Sequence, residues 1–532
     1  MSAILLLGFA LRSYNLNFPS IGYHNMIENE YLSIAQEMKN SNDFVGRKVY
    51  FYNAFEVDPR VKTYHQPPLV SYQILAAWKL LGENLWGARL VNVLFGTLSI
   101  LVIYFISFLL FSNVRLALFC ALLLSIMPLG VFFSRNLQPD SPALFFMLLG
   151  NLFYLRFASS LKKYNLLLGG LAFSVAWVYR PSFIFGMLPF IFYFPFANIL
   201  RKKKEILRHA LIFFIPYLVI PFVIFWLKHI GQWEPGFQLT FVRIAKSFEI
   251  FHPFYWQQYG RAILWFVARE NYTLVFSLLC LLGIMLAFIK GSGLLNRYII
   301  GWAVIIIPFS IVFSEQIYQQ SFAQMPFLGM VCVSATYIIS FVSQTLRRLI
   351  KRDTLLYLMI VAVLISLPFV YRAIQSMHAT VFLGEDVAGG TLRELTAPGE
   401  RVFLFTHSQG YGIARYAQRY SGWPVNLTDF KEKENKFKIR YLCVYPPEYL
   451  WILEKNSPEL FKYIQNNYHV KELGLLEEPD QLVYFILEKG KGQNIEDFLK
   501  SISGEKRPKS IYRLFGRYVF FYTLRPDIPK RP

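Results

Sequence analysis

Long apolar runs, separated by short polar connections, occupy most of the first 371 residues. A helix needs about 20 apolar residues to cross a bilayer, and about ten runs approach or reach that length. They are 87–112, 116–134, 139–157, 165–178, 181–200, 209–228, 272–290, 298–314, 322–343 and 354–371. A shorter apolar run, Ser2 to Leu11, is interpreted as the outer part of a first helix. The pattern therefore predicts about eleven membrane-spanning helices.

Beyond about residue 385 the pattern changes to shorter apolar segments that are typical of a water-soluble domain. Pro458–Asn467 has the pattern of a helix, with Ser457 at its N-cap and the proline in the first position. Four segments have the length and composition of strands: Arg401–Thr406, Tyr441–Tyr445, Gln481–Leu487 and Tyr518–Leu524. Alternating strands and helices predict a small α/β domain.

The basic residues between the apolar runs indicate the orientation, because cytoplasmic loops are enriched in lysine and arginine. With the N-terminus in the cytoplasm, every dense basic cluster falls in a cytoplasmic connection. These clusters are Arg115; Lys162 and Lys163; Arg201, Lys202, Lys203, Lys204 and Arg208; Lys290 and Arg297; and Arg347, Arg348, Lys351 and Arg352. The segments 14–86, 229–271 and 372–532 then lie on the outer side.

We therefore expect a polytopic α-helical membrane protein with a C-terminal extracytoplasmic α/β domain. The transmembrane domain would cover residues 1–371, with a catalytic external loop at 14–86 and a second external loop at 229–271. The α/β domain would cover residues 372–532. The expected location is the cell inner (plasma) membrane, crossed several times.

The composition supports this class and argues against others. Only 16% of the residues are charged and 55% are hydrophobic, whereas an average soluble protein has about 25% charged residues. The net charge of +21 could indicate a nucleic-acid partner, but that requires a basic face on a soluble domain. Here the basic residues lie in loops, so we expect no nucleic-acid binding. The four cysteines show no metal-type spacing with histidine.

Acidic residues near the outer ends of the predicted helices are the first candidates for chemistry. Glu28 and Glu30 lie with His24 at the start of a probable amphipathic helix, Glu28–Met38. They could also simply complement the dipole of that helix. Asp140 starts the fourth predicted helix, where it could equally be an N-cap. Ionisable residues at such places are costly and are functional suspects by default.

Further polar residues occupy the same predicted face of the membrane. Arg135 precedes Asp140, and Arg180 lies in a very short external turn between two apolar runs. His65 and Gln66 open an apolar segment that precedes Arg89, and Tyr318 lies between two later helices. A solvated or interfacial role without chemistry is the alternative for most of these residues.

Carboxylates and arginines at one membrane surface suit a lipid-phosphate substrate. Arginine can bind a phosphate through two hydrogen bonds. A carboxylate can act as the general base toward an acceptor hydroxyl.

With these motifs the chain resembles the membrane glycosyltransferases of the C-type superfamily, in the branch of protein O-mannosyltransferases and lipid A aminoarabinose transferases. The matching segments occur in the same order as in that family. They are Glu28–Met38, Pro67–Leu69 through Leu81-Gly82 to Ala88–Leu90, Arg135–Asp140, Tyr318–Pro326 and Arg419–Trp423.

The resemblance implies an inverting enzyme, a hexosyl- or pentosyltransferase, that takes a sugar from a polyprenyl-phosphate donor on the outer face of the membrane. The acceptor would be a protein hydroxyl, a lipid or another glycan, and membrane lipids would be further partners. The family's central acid is an aspartate or an Asp-Glu pair in the first external loop. In this chain Ile27 occupies the aspartate position and Glu28 the glutamate position, while a related pattern would select Glu30. We prefer Glu28 by a small margin.

The resemblance also suggests the other site residues. Asp140 matches the family's second acidic position, and Gln66 replaces a lysine that often precedes the Pro-Pro pair. The charge of the donor phosphate would then be compensated by His65, Arg89 and Arg180. We expect Gln66, Arg135 and Tyr318 to contact the substrate. Some family members use a divalent metal, but the sequence contains no compact ligand set, so cofactor and metal stay unassigned.

Two other function classes compete with the enzyme. The replacements at Ile27 and Gln66 are compatible with an inactive relative that binds or assembles glycans. A secondary transporter would show inverted repeats and midplane charges in broken helices, and no such pairing is evident in the sequence. The sequence does not identify the sugar, the acceptor or the prenyl chain.

Overall fold

A computed structural model describes residues 1–44, 67–196, 203–229, 252–406, 409–477, 481–492, 495 and 505–525. The chain forms two compact units. The first, here called the helical unit, contains Met1–Asn17 and Thr63–Met377. The second, here called the sheet unit, contains Phe18–Lys62 and His378–Pro532. Part of the segment 14–86, which the sequence analysis predicts to be external, thus belongs to the second unit together with the C-terminal residues.

The helices of the described segments are numbered in chain order. Up to the end of the apolar part they are α1 Ser2–Arg12, α2 Asn25–Ser41, α3 Leu69–Leu81, α4 Leu85–Phe111, α5 Val114–Ile126, α6 Pro128–Phe133, α7 Asp140–Ser160, α8 Lys163–Tyr179, α9 Phe190–Tyr193, α10 Lys203–Phe214, α11 Val219–His229, α12 Pro253–Tyr255, α13 Arg261–Trp265, α14 Thr273–Lys290, α15 Leu294–Val312, α16 Ser314–Gln319, α17 Leu328–Ile350 and α18 Leu355–Ala379. Short 3-10 segments occur at Pro181–Met187, Ile215–Leu218 and Ser321–Phe327, and π-helical turns at Trp256–Gly260 and Phe266–Asn271.

Seven helical stretches of the described chain are long and apolar enough to cross a membrane. They are Leu85–Phe111, Asp140–Ser160, Ile206–Trp226, Thr273–Lys290, Leu294–Val312, Ser321–Ile350 and Leu355–Ala379. Shorter apolar helices lie at Ser2–Arg12, Leu69–Leu81, Val114–Ile126 and Pro181–Tyr193. The prediction of a polytopic α-helical membrane protein is confirmed. The predicted number of about eleven spans exceeds the seven that satisfy both length and composition.

Prolines and asparagines explain several helix ends. Pro128 and Pro181 each occupy the first position of a new helical segment, because proline lacks the N–H that would continue the preceding helix. Within the predicted run 181–200, the described residues form a 3-10 segment at Pro181–Met187 and a short helix at Phe190–Tyr193. The Asn113 side chain accepts hydrogen bonds from the amides of Arg115 and Leu116 and so caps α5.

The sheet unit contains a seven-stranded mixed sheet in the order β2-β1-β3-β5-β4-β7-β6. The first three strands of that order are parallel, and the remaining neighbours are antiparallel. The strands are β1 Val402–Phe405, β2 Ser421–Gly422, β3 Tyr441–Val444, β4 Tyr468–Leu476, β5 Gln481–Lys489, β6 Glu505–Leu514 and β7 Arg517–Arg525. The helices of this unit are α19 Glu385–Leu395, α20 Gly410–Ala417, α21 Leu427–Phe437, α22 Glu448–Asn456 and α23 Pro458–Asn467.

The predicted elements of the tail are confirmed within a residue or two at their ends. The helix Pro458–Asn467 has the predicted bounds, although the Ser457 side chain makes no capping hydrogen bond. Strands β2, β4 and β6 were not predicted, and β2 has only two residues. Glu472 is fully buried in β4, and Lys506, Arg507 and Lys509 lie in β6, so the apolar pattern used to find strands is weak there.

Residues of the first external loop complete the core of the sheet unit. Ile21 is fully buried in an apolar cluster with residues of α19, α20 and β1. Gly22 pairs with Val381 in a β-bridge, and the Phe382 amide donates to the Ile21 carbonyl at 2.7 Å. Helix α2 then packs against α20. The sheet unit is thus formed by two segments that are distant in sequence.

Helices α14 and α17 approach most closely at Gly283. A Cβ atom added to Gly283 would lie 2.1 Å from the backbone oxygen of Ser334. Small residues at such crossings let membrane helices pack backbone to backbone. At Gly329, by contrast, the added atom would meet the end of the Leu148 side chain at 2.8 Å, which can move.

We expect Gly283→Ala to lower the free energy of unfolding by about 1–3 kcal/mol, because overpacking against backbone forces the helices apart. The measurement is the apparent Tm of the purified protein in detergent. Gly329→Ala is the matched control and should have a smaller effect, since a side chain can adjust. Equal Tm values for the two variants would contradict this account of the crossing.

Candidate active site

Helix α2 presents both candidate acids of the first external loop. It begins after His24, which has a left-handed backbone conformation with φ 55°, and contains the predicted segment Glu28–Met38. One face is apolar and buried, including Tyr31, Ile34 and Ala35. The prediction of an amphipathic helix is confirmed.

Glu28 lies inside a polar cluster of the sheet unit. Its side chain is 3% exposed and accepts a hydrogen bond from Ser20 Oγ at 2.6 Å. The carbonyl of Ser20 in turn accepts from Asn29 Nδ2 at 2.7 Å. Glu28 is therefore fixed by hydrogen bonds and shielded from water.

Glu30 has a different environment two residues further on. Its side chain is partly exposed and forms no hydrogen bond or ion pair with any residue the structure describes. Desolvation raises the pKa of Glu30 to about 7. A carboxyl group with a pKa near neutral pH can accept a proton and release it again under physiological conditions, which suits a general base.

Asp140 and Arg180 come together in the helical unit. Arg180 Nε lies 3.6 Å from Asp140 Oδ1, and the side chains are 13% and 1% exposed. Arg180 Nη2 also donates to Gln320 Oε1 at 3.3 Å. The guanidinium lies over the ring of Phe322, 5.4 Å from its centroid. Asp140 starts α7 but does not cap it through its side chain, because neither carboxylate oxygen accepts a hydrogen bond within the described part of the chain.

The segment before Asp140 is held by Asn92 of α4. Asn92 Nδ2 donates to the carbonyls of Asn136 and Gln138, at 2.5 and 2.8 Å. The backbone carbonyl of Asn92 accepts from Ser141 Oγ at 3.0 Å. These contacts fix the backbone on both sides of Asp140.

The other predicted residues of the helical unit have separate environments. Arg89 is 1% exposed, and its Nη1 donates to the Leu16 carbonyl at 2.8 Å. Arg135 is 5% exposed and lies over the Phe132 ring. Tyr318 is 45% exposed and packs edge-on against Tyr259, with the ring centroids 5.6 Å apart.

His65 and Gln66 lie outside the described residues, so their predicted contacts with the phosphate and the substrate stay predictions. Of the predicted set, Asp140 and Arg180 are in contact. Glu28 and Glu30 belong to the sheet unit, whereas Arg89, Arg135 and Tyr318 belong to the helical unit.

Sequence reasoning missed several polar partners. Gln320 is the third member of the Asp140–Arg180 group. In the sequence, only its place in a polar stretch beside Tyr318 indicated that it could belong to a site. In the sheet unit the structure adds Asn25 and Asn29 of α2, which contact Glu385 and Arg415 respectively. The four-residue spacing of the two asparagines indicated one helix face but not its partner.

The described residues do not fit a divalent metal. No group of three or more histidine, cysteine, aspartate or glutamate residues occurs among them in a position to hold one. Asp140, the most buried acid of the helical unit's site, faces the guanidinium of Arg180, and a cation beside it opposes metal binding. The metal stays unassigned.

Comparison with known families places the chain near the mannosyltransferases. The family profile described as dolichyl-phosphate-mannose-protein mannosyltransferase matches residues 65–226. That range contains Arg89, Asp140 and Arg180, together with Arg135, His65 and Gln66. Glu28 and Glu30 precede it. No curated protein matches the chain by sequence.

The fold is that of a solved membrane protein. The chain superimposes on the crystal structure of ArnT from Cupriavidus metallidurans with a TM-score of 0.57 and 14% identity, over 92% of this chain and 98% of that one. A second ArnT structure, with undecaprenyl phosphate bound, matches equally well. The S. cerevisiae Pmt1-Pmt2 complex with its sugar donor matches at a TM-score of 0.34 and 16% identity, over 45% of this chain and 34% of that one, which is too weak to inform the fold.

The predicted resemblance to C-type membrane glycosyltransferases is confirmed by the profile match over 65–226 and by the ArnT fold. The chain is a multi-pass membrane protein, and the profile match supports a glycosyltransferase.

We expect Asp140 and Arg180 to be energetically coupled. Asp140→Asn and Arg180→Gln, singly and together, should give a coupling energy of about 0.5–3 kcal/mol, because removing one partner leaves a buried charge unpaired. The measurement is reversible unfolding of the detergent-solubilised protein. Arg115 and Asp353 are the control pair, 2.9 Å apart but 65% and 53% exposed, and should show much weaker coupling because exposed ion pairs are screened by water and salt. Additive effects at Asp140 and Arg180 would show that the two groups do not act as a pair.

Proposed function

We propose that this chain transfers a sugar from a polyprenyl-phosphate donor to an acceptor hydroxyl on the outer face of the membrane, with inversion at the anomeric carbon. The observation that carries the proposal is the mannosyltransferase profile match over residues 65–226. That range contains the acid and the arginines which the sequence had selected, Asp140, Arg89 and Arg180.

Cationic residues of the helical unit would bind the donor. One solved ArnT structure contains undecaprenyl phosphate, which supports a polyprenyl phosphate as the lipid carrier of this chain. We assign the phosphate to Arg180 and Arg89, with help from His65. Arg180 retains N–H groups beyond those directed at Asp140 and Gln320, since a guanidinium has five of them. Compensating the phosphate charge makes the lipid phosphate a better leaving group.

Asp140 would orient Arg180 rather than take part in proton transfer. It is 1% exposed and faces the guanidinium, so its carboxylate is directed toward a cation. An arginine held between a carboxylate and the amide of Gln320 keeps one orientation, which lowers the entropy lost when it binds phosphate.

The environments of the two acids in α2 favour Glu30 over Glu28 as the base, which reverses the small preference drawn from the sequence. Glu28 is engaged by Ser20, whereas Glu30 has no described partner and a pKa of about 7. The family has its aspartate at the position that Ile27 occupies in this chain, and Glu30 follows Ile27 by three residues. Residues three apart lie on the same face of a helix, so Glu30 can replace an acid missing at Ile27.

In the proposed step the acceptor hydroxyl loses its proton to the Glu30 carboxylate. The acceptor oxygen forms a bond to the anomeric carbon from the side opposite the phosphate. The bond between that carbon and the phosphate oxygen breaks, and the polyprenyl phosphate leaves with the electron pair. Attack from the opposite side inverts the anomeric centre.

We further propose that the protein lies in the cell inner (plasma) membrane with the sheet unit outside. The motivating observation is the confinement of the dense basic clusters to alternate connections. The lipid donor and the acceptor would then meet on the extracytoplasmic side. The sugar and the acceptor class, whether protein, lipid or glycan, are to be read from the transfer products.

A second candidate function is glycan or lipid-carrier binding without transfer. Two replacements favour it: Ile27 at the aspartate position and Gln66 at the lysine position. A binding protein would retain the arginines that contact phosphate but would not need a base at Glu30. Substitution of Glu30 therefore separates the two functions.

We expect Glu30→Gln to lower kcat by about 100-fold or more, because loss of a general base typically costs that much. The measurement is transfer of labelled sugar from a polyprenyl-phosphate donor by the purified protein in lipid. Glu83→Gln, at an exposed acid of the same external segment, is the control and should retain full activity. Full activity in Glu30→Gln would reject the assigned base, and donor binding without transfer in the wild type would favour the second function.

The pH dependence gives an independent test of the base. Because desolvation raises the pKa of Glu30 to about 7, this group is protonated and inactive below that pH and becomes competent above it. We expect kcat to rise as the pH increases from about 5.5 to about 8.5, with half of the change near pH 7. Rates measured in single turnovers would isolate the chemical step. A profile already flat between pH 5.5 and 8.5 would mean that the base has an ordinary carboxyl pKa.

A further inference from the structure

Two asparagines of α2 make short contacts with the C-terminal part of the sheet unit. Asn25 Nδ2 donates to Glu385 Oε2 at 2.6 Å. Arg415 Nε donates to Asn29 Oδ1 at 2.6 Å. The residues that meet are separated by more than 350 positions in sequence, so α2 is held by a tertiary contact and not by its local sequence.

Further contacts extend this interface at both ends of α2. Ahead of the helix, the Ser20 amide donates to the hydroxyl of Tyr416 at 2.9 Å. In its last turns, the hydroxyl of Tyr420 donates to Glu37 Oε2 at 2.7 Å. All of the tail residues in these pairs lie in or next to α19 and α20.

The central contacts are buried and closely fitted. Asn29 and Glu385 are fully buried, and Asn25 is 4% exposed. A Cβ atom at Gly412 of α20 would lie 2.1 Å from Glu385 Oε2. Only a glycine there leaves room for the carboxyl group to reach Asn25.

These contacts determine the rotation of α2 about its own axis. Asn25 and Asn29 are four residues apart and share one face of the helix. A shift of one residue would turn the helix by about 100° and move it along its axis by about 1.5 Å. Since Glu30 directly follows Asn29, its direction is set by the same two contacts.

We propose that Glu385 and Arg415 are positioning residues which hold α2 in the orientation that presents Glu30 for catalysis. This inference rests on the proposed function, and it gives the C-terminal domain a part in the reaction. Neither residue is proposed to touch the substrate.

The buried polar groups at this interface are better explained by a role in fixing the orientation of α2 than by a contribution to the free energy of folding. The sheet unit has its own apolar core around residues such as Leu404, Ile413 and Ile486. A buried carboxyl group costs free energy, and Glu385 Oε1 makes no hydrogen bond within the described chain. Burial also raises the pKa of Glu385 well above its usual range. Glutamine has the same length and retains the oxygen that accepts from Asn25, so it should be able to replace Glu385.

The experiment compares Glu385→Ala, Arg415→Ala and Glu385→Gln in the full-length protein in lipid. We expect the two alanine variants to lower kcat by about 10- to 100-fold with little change in the KM for the donor, because a small misplacement of a catalytic group has such an effect. Glu385→Gln should stay within about threefold of the wild type, since its amide oxygen can still accept from Asn25.

Glu472→Ala is the matched control. Glu472 is a fully buried acid of the same unit that accepts from Thr391, Tyr484 and Arg525, none of which belongs to α2. Its loss should lower stability while kcat per folded molecule stays unchanged. Hydrogen exchange of residues 25–41 provides a readout independent of activity. It should become faster by about tenfold or more in the two alanine variants only.

The outcomes separate this inference from the proposed function. If the wild type transfers sugar and Glu30→Gln does not, wild-type kcat in Glu385→Ala and Arg415→Ala would overturn the inference alone. If the wild type transfers no sugar, the proposed function fails. Unchanged exchange of residues 25–41 in both alanine variants would then also overturn the positioning role. If Glu472→Ala lost as much kcat as Glu385→Ala and Arg415→Ala, general destabilisation would explain the loss in all three variants. That result would also overturn the positioning role.

Discussion

Inside an apolar medium every backbone N–H and C=O needs a partner within the protein, and the helical unit satisfies this constraint even where its helices break. Pro128 lacks the amide hydrogen that would bond to the Leu124 carbonyl four residues earlier. Arg12 Nη2 donates to that carbonyl at 3.0 Å, and Nη1 donates to the Ser125 carbonyl at 2.9 Å. A buried arginine at the end of α1 thus supplies hydrogen-bond donors to the last carbonyls of α5. The same principle places Asn92 against the non-helical segment before Asp140.

The pattern of apolar residues predicted much of the fold because the bilayer imposes length and composition on each helix. The tail strands were also predictable where they are apolar. The pairing of α2 with the C-terminal domain was not, because Asn25 and Glu385 are ordinary polar residues whose contact depends on the folded backbone. Contacts of the segment Arg419–Trp423, which carried part of the resemblance, were equally beyond prediction. Arg419 Nη2 donates to the Thr396 carbonyl at 2.7 Å, just after α19.

The sequence supplied candidate residues for a site, but not the contact between two of them that sets their local charge. The sequence analysis predicted Asp140 as an acidic site residue and, independently, Arg180 as a cation that binds the donor phosphate. Their contact at 3.6 Å means that part of the positive potential of Arg180 is offset before any donor binds. Under the proposed function, a donor phosphate would compete with this carboxylate for the guanidinium. Such competition would weaken ground-state binding of the anion, while the fixed orientation of Arg180 would still favour the charge that develops on the leaving phosphate.

The absence of an aspartate at position 27 is best understood from the geometry of α2. Ile27 is only 9% exposed and counts among the buried apolar residues, so an ionised aspartate there would be strongly desolvated. An acid three residues later lies on the same helix face, about 4.5 Å further along the axis. Glu30 occupies that place, and its longer side chain offsets part of the displacement. Desolvation raises the pKa of Glu30 to about 7. The departure at Ile27 is therefore compatible with relocation of the base within one helix face, and loss of the aspartate does not by itself imply loss of transfer.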